Sequence, residues 1–105
     1  MKNIGDMMRQ FQGLQERMQQ LQQKISEVEV HGESGGGMVK VTAGGDRSIR
    51  KIVIDPSLWQ ENDRELTEDL VTAACNAALK TAEERAKEMQ QELLAGLPLP
   101  PGFSL

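Results

Sequence analysis

The strongest constraint on this chain is a period. Ile4, Met7, Phe11, Leu14, Met18, Leu21, Ile25 and Val28 stand at alternating intervals of three and four residues, the a/d stripe of a helix seated against another helix. The residues between them are mainly Gln, Glu, Arg and Lys, all compatible with helix. A helix over about residues 3–27 reaches about 37 Å at ~1.5 Å per residue. A globule of 105 residues cannot cover that length, so part of the helix is expected to project.

After Val28 the period changes to two. Val28 to Glu33 alternates and runs into Ser34 and three glycines, Met38 to Ala43 alternates again, and Gly44-Gly45-Asp46 suits a tight hairpin. Arg47 to Asp55 reads as a third strand stopped by Pro56. Strands over about 28–55 joined by short links form an antiparallel meander. The third strand is two-sided: Ile52 and Ile54 share a face with Arg50, while Ile49 and Val53 share the other with Lys51. Either a bulge lies between Ile49 and Ile52, or both faces are partly covered, the second by a partner chain; the partner reading is slightly preferred.

A second helix is expected over about 64–95, opened by Asn62 and Glu65 as a capping box. Its stripe, from Leu66 and Leu70 through Ala73, Ala74, Ala77, Ala78, Ala82 and Ala86 to Met89 and Leu93, is nearly all Ala in the middle, which lets the axis approach a neighbour closely. Gly96 and Pro98 end it, and 96–105 reads as a Pro-rich extended tail. The fold class is α+β: long helix, three-stranded antiparallel sheet, long helix, in two layers, forming one domain over 1–95. With two Phe, one Trp and no Tyr, the core is thin, and a surface shared between copies is the usual remedy.

Residue chemistry excludes most activities. His31 is the only histidine and Cys75 the only cysteine, so no zinc-ligand spacing exists and no internal disulfide can form. The glycine runs lack the strand-to-helix setting and trailing Lys-Ser/Thr of a phosphate loop. Cys75 reads as a small packed hydrophobe, Trp59 as a lid on the sheet, and the carboxylates of the second helix as a solvated face. An enzyme has no residues to carry it, and no metal, cofactor or small-molecule substrate is expected. The N-terminus is too polar for a secretory segment, and no run approaches the roughly 18 apolar residues of a membrane span. A reducing, cytoplasmic location is expected.

Charge is polarised along the chain. The net charge is −4, which argues against a generic nucleic-acid binder. Residues 38–54 nevertheless carry +3 and residues 1–27 carry +1, while 61–92 carry −5.

Several stretches occur in order after the heptad helix: Val30-His-Gly-Glu-Ser-Gly-Gly-Gly-Met-Val-Lys-Val-Thr42, Ile52-Val-Ile-Asp-Pro-Ser-Leu58, Glu68-Asp-Leu-Val-Thr-Ala-Ala-Cys-Asn-Ala-Ala78 and Leu99-Pro-Pro-Gly-Phe103. Across nearly the whole chain this pattern resembles the YbaB/EbfC family of bacterial nucleoid-associated proteins. Trp59 stands where that family usually has an aliphatic residue, and Cys75 where a bulkier apolar one is common. The resemblance implies a helix–sheet–helix fold, a tweezer-like homodimer, and cytoplasmic, nucleoid-associated binding of double-stranded DNA with little sequence specificity. Such binding needs phosphate contacts from Lys and Arg. The candidates are Arg9, Arg17 and Lys24 on the first helix and Lys40, Arg50 and Lys51 on the sheet. Lys80, Arg85 and Lys87 form a weaker set among acids. The alternative is a non-enzymatic scaffold gripping a protein partner with its helical arms, favoured by six Met residues.

Overall fold

A computed structural model describes residues 4–96; of the expected tail only Gly96 lies within them. The heptad segment forms α1, Ile4–Glu27. Only Val28 separates it from β1, Glu29–Ser34. The three glycines form a single 3-10 turn with all three φ angles positive, a conformation that costs a glycine little. Next come β2, Val39–Gly44, and β3, Ile49–Ile54, then a short α2, Ser57–Gln60, and finally α3, Arg64–Ala95. The sheet is an antiparallel meander in the order β1-β2-β3.

Helix α3 lies along β1 and β2 and covers β3 only marginally. Its Ala74, Ala78 and Ala82 are fully buried against Val30, Val39, Val41 and Ala43. The approach is closest at Gly32, where a Cβ would overlap the backbone of Ala78 and the carbonyl of Ala74. Small residues on both elements thus bring backbone to backbone, which offsets the shortage of large side chains. The Ser34 hydroxyl adds a bond to the Leu70 carbonyl at 2.6 Å.

The sequence expectation differs from the structure in three places. The pairing of β2 with β3 shifts register, with Thr42 opposite Lys51 but Ala43 opposite Ile49. Arg50 is therefore the extra residue of a bulge, and Ile49, Ile52 and Ile54 all share the face of Val41. The bulge, rather than a second covered face, explains the irregular pattern. The N-cap of α3 is Asp63, whose Oδ1 accepts from the Leu66 amide at 3.0 Å. Asn62 takes a left-handed φ of 54° instead, which asparagine tolerates. The lid under the sheet's end is Leu58, 2% exposed, while Trp59 beside it is 67% exposed. The turn at Asp55 sets this: its carboxylate accepts from the Ser57 amide at 2.8 Å and its carbonyl from that of Leu58 at 3.1 Å. That tight turn aims Leu58 inward.

The molecule is long. Its extents are 73 × 24 × 17 Å and its radius of gyration is 20.4 Å, against about 13 Å for a compact domain of this size. Exposure along the α1 stripe explains the shape: Leu21 is 8% exposed, Leu14 38%, Phe11 61% and Ile4 76%. The helix is rooted at its C-terminal end and bare at its N-terminal end. Ile49 and Ile52 of β3 are also exposed, on the face that α3 covers elsewhere. Isolated apolar residues on a surface are ordinary, but contiguous ones mark a contact surface.

Candidate nucleic-acid interface

Arg9, Arg17 and Lys24 all project from α1 and are exposed. Arg17 and Lys24 are seven residues apart and so lie within about 20° of each other around the helix. Arg17 stands three residues after Leu14 and four before Leu21, and Lys24 three after Leu21, so both cations border the apolar stripe. Among the described residues Arg17 and Lys24 make no salt bridge.

The sheet places Lys40 and Lys51 on the face away from α3. Alternation from the buried Val39, Val41 and Ala43 puts Lys40 and Thr42 outward. Register then sets His31, Thr42 and Lys51 in one row and Glu33, Lys40 and Val53 in the next. His31 Nδ1 lies 3.3 Å from the Thr42 hydroxyl, an ordinary cross-strand contact. Glu33 opposite Lys40 partly offsets its charge, while Lys51 faces no acid across the strand.

Arg50, the remaining sheet candidate, is placed differently. As the bulge residue it turns toward the root of α1, where its Nη2 donates to the Ser26 carbonyl and lies 3.8 Å from Asp46 Oδ1. Three of the four cations of α3 are also engaged, Lys80 being the exception among the described residues. Arg85 pairs with Glu88 at 3.1 Å, Lys87 with Glu83 at 3.6 Å and Arg64 with Glu68 at 3.0 Å. Exposed pairs of this kind contribute little stability, but they cancel charge locally. The structure thus brings Arg9, Arg17 and Lys24 together on one arm, sets Lys40 and Lys51 on the open sheet face, and ties Arg50 to the hairpin.

Other chemistry is sparse. No cluster of three or more metal-ligating side chains occurs among the described residues. Cys75 is half-buried against the core. Two carboxyls sit below their ordinary range: Asp46 through bonds from the Ser48 hydroxyl and amide, and Asp55 through bonds from Ser57. Both are turn residues, and the donors around them stabilise the charged form. No helix is long and apolar enough to cross a membrane among the described residues. The role of Asp46 was hidden in the sequence, although Asp46 and Arg50 stand at an i, i+4 spacing just after Gly44 and Gly45.

The profile of the YbaB/EbfC DNA-binding family matches residues 1–97. The chain belongs to the YbaB/EbfC DNA-binding family. The family is non-enzymatic, in keeping with a site made of isolated surface cations. The fold is also similar to that of uncharacterized protein HP0035 from Helicobacter pylori, with a TM-score of 0.76 and 26% identity over 90% of this chain and 99% of that one. Within the YbaB/EbfC frame the glycine turn, the Asp55–Pro56 stop and the Ala stripe each have a visible structural duty: reversing the chain, aiming Leu58 and seating α3.

Proposed function

We propose that this chain is a nucleoid-associated protein of the cytoplasm that binds double-stranded DNA as a homodimer, through phosphates and with little sequence preference. The observation that carries the reading is the unequal state of the cations. Arg17 and Lys24 of α1 make no salt bridge with another described residue, whereas three of the four cations on α3 are paired with neighbouring carboxylates. Family membership supplies DNA as the ligand. Lys and Arg without base-reading neighbours position a duplex but do not read it, which suits a role in nucleoid organisation or gene regulation. Arg9, Arg17, Lys24, Lys40 and Lys51 are the contacting set in this reading, all within a single domain over residues 1–95.

The homodimer rests on the apolar surface left bare by α3. Ile49 and Ile52 on β3 form a patch on the core-side face, and a second copy laid against it completes the cover. Sedimentation equilibrium at micromolar concentration should return a mass near two chains, and Ile52→Lys should reduce it toward one. A wild-type mass of one chain refutes the dimer.

Affinity for a short duplex across a salt series tests the DNA reading. Counterion release makes log K fall linearly with log salt, by about 0.9 for each phosphate neutralised. Absence of binding at low salt, or a flat slope, overturns it. A protein partner is the competing reading, and the exposed Met7, Met8 and Phe11 of the arm favour it. Capture from a nuclease-treated lysate separates the two, because only a protein complex survives that treatment.

A further inference from the structure

The direction of the α1 arm is set by very little. One residue, Val28, joins α1 to β1, and only Leu21 and Ile25 of the helix are buried. A 24-residue helix is a lever of about 36 Å, so a 10° change at its root moves its tip by about 6 Å. An arm that holds DNA with Arg9 and Arg17, beyond its buried root, needs that root held.

The β2–β3 hairpin meets that root. The Gly45 amide donates to the Val28 carbonyl at 3.0 Å, and the Val28 amide to that of Ile25 at 3.2 Å. A Cβ on Gly45 would overlap the Ile25 carbonyl, so only glycine lets the helix end sit on the turn. A Cβ on Gly44 would overlap the Arg50 guanidinium and Asp46 Oδ1, so the guanidinium occupies the space that the missing side chain leaves. Its Nη2 donates to the Ser26 carbonyl, beside Asp46. Asp46 Oδ1 in turn accepts from the Ser48 hydroxyl at 2.6 Å and the Ser48 amide at 3.2 Å. The last carbonyls of a helix lack intrahelical donors and favour a cation. Arg50 supplies both the donor and the charge, and the bulge that makes it the extra residue of β3 aims it there.

We propose that Arg50 is a positioning residue for DNA binding, held by Asp46 against the end of α1 so that the hairpin clasps the arm at one angle. It acts on DNA through the arm and does not itself contact a phosphate. The effect on DNA affinity rests on the reading given above; the effect on the arm's angle does not.

The test separates the two. In a Cys75→Ala background, nitroxide labels at Gln12→Cys and Glu65→Cys report the distance from arm to body. The labelled chain is diluted into excess unlabelled chain so that only intrachain distances are read, without DNA. The parent should give one narrow distribution, which Arg50→Lys and Asp46→Asn should each widen at least twofold. Arg50→Lys keeps the charge but loses the guanidinium that fills the space beside Gly44. Should it fail to fold, Asp46→Asn decides alone. Distributions as narrow as the parent's overturn the clasp.

DNA binding gives the second readout. Asp46→Asn removes a negative charge, so a purely electrostatic role for this region raises affinity. The clasp predicts a several-fold loss with the salt slope unchanged, because every phosphate-binding cation is still present. A gain in affinity overturns the proposal. If the parent chain does not bind duplex DNA, the functional reading fails, and the distance distributions still decide the clasp.

Discussion

Of the two long helices, α3 lies along the sheet on a stripe of fully buried alanines, while α1 meets the rest of the chain only near Leu21 and Ile25. Size follows from that difference. Where helix and sheet must approach closely, Ala74, Ala78 and Gly32 are small enough to allow it; where α1 projects, Met7, Phe11 and Met18 stay large and largely exposed. Charge follows it too. Arg64, Arg85 and Lys87 of α3, three of its four cations, are each paired at a spacing of three or four residues, whereas Arg17 and Lys24 of α1 make no salt bridge with a described residue. One helix is fitted to its own chain, and the other keeps both its charge and its apolar surface for something outside it.

The difference between the helices breaks first at the close approach. Gly32→Val should destabilise the fold by about 3 kcal/mol or more, because the added side chain meets helix backbone that cannot step aside. Urea unfolding measures this, and a loss below about 1 kcal/mol would mean that α3 rides higher on β1 than described. Substitution of similar bulk on the arm, Gly13→Val, meets open space and should leave the unfolding midpoint almost unchanged.

Next in size is the contrast between two neighbours on α2. Leu58→Ala should cost about 2–5 kcal/mol, the range for emptying a buried leucine site. Trp59→Ala should cost about 0.5 kcal/mol or less, as expected of an exposed side chain. Equal losses would place the tryptophan in a packed setting.

Affinity sharpens the charge difference. Replacing Arg9, Arg17 and Lys24 together by Gln should flatten the salt slope by about 0.9 for each phosphate that the arm no longer neutralises. The double change Arg85→Gln and Lys87→Gln should leave the slope unchanged, since those cations already face Glu88 and Glu83. A larger fall from the α3 pair would move the interface to the other helix.

The smallest effect concerns pH. Asp46 is held below its ordinary value, first by the Ser48 hydroxyl and then by the Ser48 amide, with Arg50 adding a weaker attraction. A depressed carboxylate contributes order above its unfolded pKa, roughly 3.9, and loses it as pH falls through the lower folded value. The groups around the hairpin are Arg50 on β3, Arg47 in the turn, and Glu83 and Lys87 on α3. The arm-to-body distance should therefore stay constant from pH 8 to about 5 and widen only in stronger acid. Widening near neutral pH would assign the hold to another group.

Much of this was legible in the residues. The Ala stripe announced α3 and the switch to period two announced the sheet, because each pattern is the direct trace of one buried face, and the heptad stripe announced α1 although only its Leu21 and Ile25 are buried. The bulge was visible only as a conflict, since two registers of β3 satisfy the pattern equally until β2 selects one. Asp63 displaced Asn62 as cap because adjacent residues of similar chemistry compete and the turn geometry decides. The free and paired cations could not be separated in advance. Lys87 and Lys24 read alike in a sequence, and only the i, i+4 Glu83 hinted at the difference. Arg50 was hardest, since its partner is a backbone carbonyl, which has no residue type to betray it.

The bare arm has a hydrodynamic consequence. A chain three times longer than it is wide drags more solvent than a sphere of equal mass, so it elutes early from a sizing column and diffuses slowly. A lone protomer then mimics a heavier globular species, and elution volume alone cannot count chains. Light scattering or sedimentation equilibrium weighs the particle regardless of its outline, and stoichiometry for this protein belongs to those measurements.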